Sequence, residues 1–219
     1  MRLVMFATTV TLLTAAPLLA QTERGYLAGT GGFAVAPGAT SASTLGEVGV
    51  RIAPHLSLFG NVGRYRNLQP TDAQSAVDTT TSIAAAQGLD VVGSARVPAW
   101  YSTGGVRYEM PGNRHVTPYL SGGLGFARLS PSAQFTFTSG TFPDGSTPPL
   151  GFDVTPQLTT AGDFTELPAS TAALMMLGGG VEIPVAHRWA IDAGYRFSRV
   201  ATDTPLNTQG AAFGVGYRF

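Results

Sequence analysis

The chain predicts an all-β fold, an eight-stranded antiparallel up-and-down transmembrane β-barrel, and three observations predict it. The last ten residues, Gly210 to Phe219, alternate an oily parity (Phe213, Val215, Tyr217, Phe219) with a small or charged one (Ala212, Gly214, Gly216, Arg218). That is the pattern of a strand with one face on lipid and the other on a polar interior. The segments that read as strands are joined by links that alternate short and long. The chain also opens on a short positive start, Met1-Arg2, followed by a mostly apolar run, as secreted chains do.

That first run, Leu3 to Ala16, is interrupted only by threonines and is followed by Pro17-Leu-Leu-Ala20. It is too short and too rich in threonine for a membrane-spanning helix, and reads as a signal peptide over 1–20. Cleavage is expected after Ala20, with Ala16 the second choice because Leu18 is large for that position. An uncleaved anchor is the alternative. The remaining residues, 21–219, suit one β domain.

Composition narrows the class. The chain has no cysteine, so it offers neither a disulfide framework nor a thiolate metal site. Its thirteen basic residues are all arginine; without Arg2, twelve face thirteen acids. No basic patch marks a nucleic-acid binder, and no nucleic-acid partner is expected. Only 12% of residues are charged, yet no apolar run after the signal approaches the length of a membrane helix. A barrel reconciles the two, because alternation dilutes its hydrophobicity.

Eight segments read as strands: 25–36, 45–53, 56–66, 97–110, 115–128, 170–184, 188–199 and 209–219. The first has strong β content but weak alternation. The second sets Val48, Val50 and Ile52 against Glu47, Gly49 and Arg51. In the third, Phe59, Arg64 and Tyr65 break the parity of Leu56, Leu58 and Val62, so a bulge near Gly60 or Gly63 is expected. The fourth sets Trp100, Val106, Tyr108 and Met110 against Tyr101, Thr103, Arg107 and Glu109; the fifth opposes Leu120, Leu124 and Phe126 to Tyr119 and Ser121. In the sixth, Met175, Leu177, Val181 and Ile183 oppose Glu182. The seventh places Trp189, Ile191, Tyr195 and Phe197 opposite Asp192, Arg196 and Ser198, and the eighth is the closing strand.

The links are short at Pro54-His55, 111–114 and 185–187, and longer at 37–44, 67–96, 129–169 and 200–208. Spanning barrels sort their links in this way, with tight turns on the periplasmic side and longer outer loops, so both termini are expected in the periplasm. The three tight hairpins share a Gly-Val-charged-apolar descent, a proline at the turn and a nearby histidine. Proline ends the ladder there because it lacks a donor.

An arginine on the lipid face at mid-membrane costs about 2–4 kcal/mol, so the charged parity is placed inside and the oily one outside. A soluble barrel would invert the two faces, and parity alone does not separate these arrangements. The predicted lumen set is Glu47, Arg51, Arg107, Glu109, Glu182, Asp192, Arg196 and Arg218, four acids and four arginines. Inside a narrow barrel they are expected to pair. Trp100, Tyr108, Trp189, Tyr217 and Phe219 fall near strand ends, where interfacial aromatics belong.

The closing strand Phe213-x-Val-x-Tyr-x-Phe219, with Gly194-Tyr-Arg-Phe197 and Gly105-Val-Arg-Tyr108, resembles the small outer-membrane β-barrel proteins. That family includes the transmembrane domain of outer-membrane protein A and outer-membrane proteins X and W. The resemblance covers about 25–219 and implies an integral protein of the bacterial outer membrane, surrounded by its lipid. It also implies that the barrel-assembly machinery reads the terminal strand, which assigns Phe213, Val215, Tyr217 and Phe219 that role. Its members include structural proteins, adhesins, small channels and a few lipid-modifying enzymes.

An enzyme of that last kind uses a histidine with a serine and a carboxylate near the outer leaflet. The three histidines here, His55, His115 and His187, all fall at short turns on the opposite side, so no catalytic residue is expected. Nothing in their spacing asks for a metal or a cofactor. The long loops 67–96 and 129–169 are the remaining candidates, as a surface for a partner or as loops packed on themselves; Phe142, Phe152 and Phe164 lie in the second. The expected function is structural or surface-interacting, with a lumen plugged by Arg–carboxylate pairs. A narrow channel for small or apolar solutes is the alternative, and a lipid-modifying enzyme the third reading.

Overall fold

The computed structural model describes residues 24–68, 71–111, 115–165 and 167–219; the expected signal peptide 1–20 lies outside them, as does 112–114 of one short turn. The strands are β1 (Gly25–Ala36), β2 (Ala39–Ala53), β3 (Leu56–Tyr65), β4 (Leu89–Arg96), β5 (Ala99–Glu109), β6 (Thr117–Leu129), β7 (Ser132–Gly140), β8 (Ser170–Pro184), β9 (Trp189–Ala201) and β10 (Leu206–Arg218). Two helices, α1 (Thr71–Ala86) and α2 (Thr155–Ala161), lie within the long links. Eight strands close antiparallel in the order β1-β10-β9-β8-β6-β5-β3-β2, while β4 and β7 form a separate two-stranded sheet.

The register sets the size of the barrel. Paired residues lead from Glu182 through Asp192, Gly214, Thr30, Leu45, Gly63, Tyr101 and Ala127 back to β8 at Ala172, a shear of ten residues. With ordinary strand spacing this means a tilt of about 40° and a radius of about 8 Å, a lumen that side chains can fill.

The faces separate as the arginines require. Leu27, Val48, Val50, Leu58, Val62, Val106, Leu120, Leu177, Ile191, Phe213 and Val215 are exposed on the outside, and Leu124 reaches 70% exposure. Glu47, Arg107, Glu109, Glu182 and Asp192 are buried within. A soluble barrel would hide the first set and wet the second. Trp100 lies toward one end, and Tyr108, Trp189, Tyr217 and Phe219 lie toward the end where β1 begins and β10 finishes. Trp100 and Tyr108 stand eight residues apart on β5, about 20 Å along the axis at this tilt. That separation suits an apolar band bounded by aromatic girdles.

Several expectations are corrected. The link-length alternation does not survive, because β2 begins at Ala39 and leaves only Pro37-Gly38 as the first link, with Gly38 at φ 88°. Thr40 to Thr44 carry no oily alternation, yet each pairs with β1, whose neighbouring backbone supplies the ladder. The last link is likewise only 202–205. In β3 there is no bulge: pairing with both neighbours runs unbroken, and Phe59 and Tyr65 turn inward as buried aromatics. The irregularity sits instead in β2, between Arg51 and Ala53.

The two long links pack on themselves and on one another. They fold into a cap of α1, β4, β7 and α2 whose buried residues, among them Leu68, Val77, Leu89, Val91, Phe135, Phe137, Val154, Leu158 and Phe164, join one cluster with Leu45, Tyr65, Tyr101, Leu129, Leu174, Val200 and Leu206 of the barrel. The alternating segment Gln134 to Thr138 belongs to β7 rather than to a longer β6. Ser130 and Pro131 interrupt the chain, and β7 pairs with β4 instead. Helix α1 presents Ala73, Val77, Thr80 and Ala84 to this core at helical spacing and ends at Gly88, which adopts φ 83°.

Candidate functional site: the lumen

The eight charges singled out in the sequence all lie on inward-facing positions of the barrel. Arg107 is the hub. Only 3% exposed, its guanidinium lies 2.7 Å from Glu182 Oε2 and 3.7 Å from both Glu47 Oε1 and Asp192 Oδ2. Glu182 also takes Arg218, whose Nη2 is 2.7 Å from Oε1 and whose Nε donates to the same oxygen at 2.9 Å. Arg51 and Glu109 form a separate pair at 3.1 Å, nearer the termini.

Arg196 departs from the expected pairing. It faces the lumen, yet among the described residues it makes no ion pair with a carboxylate. Its neighbours are the phenols of Tyr101 and Tyr119. The reason is register: Arg196 sits opposite Gly178 and Gly210, four residues along β9 from Asp192 and beyond its reach.

The tyrosines complete the network. Tyr26 Oη donates to Glu47 Oε1 at 2.8 Å, and Tyr119 Oη donates to Asp192 Oδ1 at 3.0 Å. The Arg107 guanidinium also lies 3.7 Å from the Tyr119 ring centroid and 5.0 Å from that of Tyr26. Each carboxylate of the hub therefore has a phenol, an amide or a second arginine besides Arg107, as Asn61 Nδ2 donates to Glu47 Oε2 at 3.3 Å. Such added donors are what a buried ion pair needs to offset its desolvation. Glycines make the space. A Cβ on Gly194 would stand 2.7 Å from Tyr119 Oη, and one on Gly49 would run into the Tyr26 ring.

The filling changes character toward the cap. Above the ions, Thr103 Oγ1 donates to Asn61 Oδ1 at 2.6 Å beside Met176. Next, Tyr65 and Tyr101 stack with centroids 4.8 Å apart, and Tyr65 Oη donates to Ser198 Oγ at 3.2 Å. The apolar core shared with the cap follows. Tyr26 and Asn61 were not among the sequence candidates; Asn61, opposite Glu47 and Thr103 in the register, was obscured by the bulge expected in β3.

Other candidates stand apart from this network. His55, His115 and His187 occupy exposed turns at the terminal end, and His55 has a positive φ of 66°. No group of three potential metal ligands occurs among the described residues. Phe164 is buried and packs edge-on to Phe135 with centroids 5.0 Å apart, Phe142 is partly buried, and Phe152 remains exposed. A cleft of about 450 Å³ opens between the cap and the barrel rim, lined by Ala73, Val97, Leu129, Ala172, Ala201 and Leu206, among others.

Comparison with known proteins places this architecture. No curated protein matches the chain by sequence. Among solved structures, Neisserial surface protein A aligns with a TM-score of 0.53 at 17% identity, covering 89% of this chain and 96% of that one. A major outer membrane protein from Thermus thermophilus aligns at 0.50 with 11% identity, covering 89% and 99%. At such identities the likeness is one of fold. A family model for the outer membrane protein beta-barrel domain matches residues 5–219, and the chain belongs to that family.

Proposed function

We propose that this protein is a non-enzymatic scaffold of the bacterial outer membrane, with both termini in the periplasm, its lumen closed and its cap carried as a rigid surface for contacts outside the cell. One observation carries the reading. The interior is filled along its length, by ion pairs toward the termini, by tyrosines in the middle, and by an apolar core continuous with the cap. A solute path would have to break both a buried charge network and a hydrophobic core. The test is conductance in planar bilayers: silence is expected, and stable unitary steps that change on Arg196→Ala would overturn the closed lumen.

A narrow path for small or apolar solutes is the second reading, and the rim cleft favours it. Its wall includes Val97, Leu129 and Leu206 of the sealed core, so uptake through it would need the cap to move. Retention of an apolar fluorophore that is lost on filling the cleft, as in Ala172→Phe, would support this reading over the scaffold.

A further inference from the structure

The outer surface carries a charged patch where a barrel in lipid has least reason to place one. On β3 and just past it, Arg64 and Arg66 are exposed; Arg64 is paired in register with Trp100 on β5, and Trp100 with Arg128 on β6. Arg64, Trp100 and Arg128 lie on the outward parity of three neighbouring strands, and Arg66 is exposed one residue past β3, all at the capped end of the apolar band. The Arg64 guanidinium sits 5.3 Å from the centre of the Trp100 ring. Among the described residues, none of the three arginines makes an ion pair.

The level matters. A few residues toward the termini on the same strands, the outward positions are Val62, Val106, Leu124 and Phe126. The arginines thus begin where the oily band stops, alongside an aromatic of the kind that marks the headgroup layer. Charge on the outside of a barrel costs little there, but three neighbouring cations still repel one another unless an anion lies among them. Arginine presents a planar fork matched to phosphate oxygens, and this chain uses no lysine in its place. We propose that Arg64, Arg66 and Arg128, gathered around Trp100, form a binding site for the phosphate headgroup of a lipid in the leaflet at the capped end. The guanidinium groups take the phosphate oxygens while the acyl chains lie along Val62, Leu124 and Phe126.

The placement of that leaflet on the cell exterior rests on the orientation proposed above, which protease access to the cap in intact cells reads independently. Lipid retention is measured on the purified barrel, so its outcome does not depend on orientation. Native mass spectrometry in detergent supplemented with phosphatidic acid or phosphatidylcholine is the assay. The wild type is expected to retain phosphatidic acid preferentially, with each Arg→Gln substitution at 64, 66 or 128 weakening retention about fivefold. Arg199→Gln, an outward arginine remote from the patch, is expected to change nothing. The heat-modifiable gel shift checks that each variant is folded, and the other single substitutions serve if one of them fails to fold. An unchanged preference in the variants would overturn the site, and so would an equal loss in R199Q. Displacement of the lipid by inorganic phosphate, at an ionic strength matched with chloride, would overturn its assignment to a lipid.

Discussion

Arg107 illustrates how a single side chain organises the interior. It reaches three carboxylates from three other strands, and the ring of Tyr119 covers its guanidinium. Arg107→Met removes the cation and leaves Glu47, Glu182 and Asp192 facing one another in a narrow lumen. A loss of about 3–5 kcal/mol is expected on urea unfolding in lipid vesicles, followed by tryptophan fluorescence. Arg51→Met, at a pair nearer the mouth whose arginine is one-third exposed to water, is expected to cost less by the same measurement. Equal losses in the two variants would show that burial of the hub contributes nothing special. Parity put all eight charges on the face opposite the oily one, and the membrane supplied the direction, since a charged residue amid an oily alternation has one tolerable side there. The pairing of Arg196 was not, because reach along the strand depends on a register that the sequence does not display.

At the scale of elements, the barrel strands announced themselves and the cap did not. Strand alternation is strong where one face meets lipid, as in Trp189 to Phe197. The cap helix α1 has no such contrast: its buried stripe consists of Ala73, Val77, Thr80 and Ala84, and Thr80 Oγ1 is held at 3.0 Å by the carbonyl of Ala76 within the helix. Its stability comes from tertiary packing, which no local pattern reveals. Val77→Asp would place an unpartnered charge against Phe135 and is expected to expose the cap to protease while the barrel keeps its gel shift. The turn into α2 is pH-sensitive in a defined direction. Hydrogen bonds from Thr155, side chain first, hold the Asp153 carboxyl below its ordinary range. Its contribution is therefore intact above the carboxylate range and fades as pH falls through the lowered value. Faster amide exchange at Thr155 only under acid conditions is the expected sign.

For the whole molecule, the end of the last strand and the beginning of the first form one joint. The amides of Arg24 and Gly25 both donate to the carbonyl of Phe219 at 2.9 Å, and the Phe219 amide returns a bond to Gly25. The Phe219 ring lies over Gly25, where a Cβ would stand 2.6 Å from it. Deleting Phe219 is expected to lower the yield of heat-modifiable barrel in outer membranes, whereas Phe219→Tyr should preserve it.

That joint is sparse in side chains. Between β1 and β10, Gly29 faces Val215, Thr30 faces Gly214, Gly31 faces Phe213 and Gly32 faces Ala212. Zipped mostly by main chain, it has few side-chain contacts of its own to prevent sliding or parting. The fastening crosses the inside instead: Arg107 on β5 touches Tyr26 of β1 on one side of the seam and Glu182 of β8 on the other. A cylinder left ajar would keep those groups wet and apart. Burial of the hub and closure of the wall are then one event, and the charges act as a latch that engages only when the last stave is home.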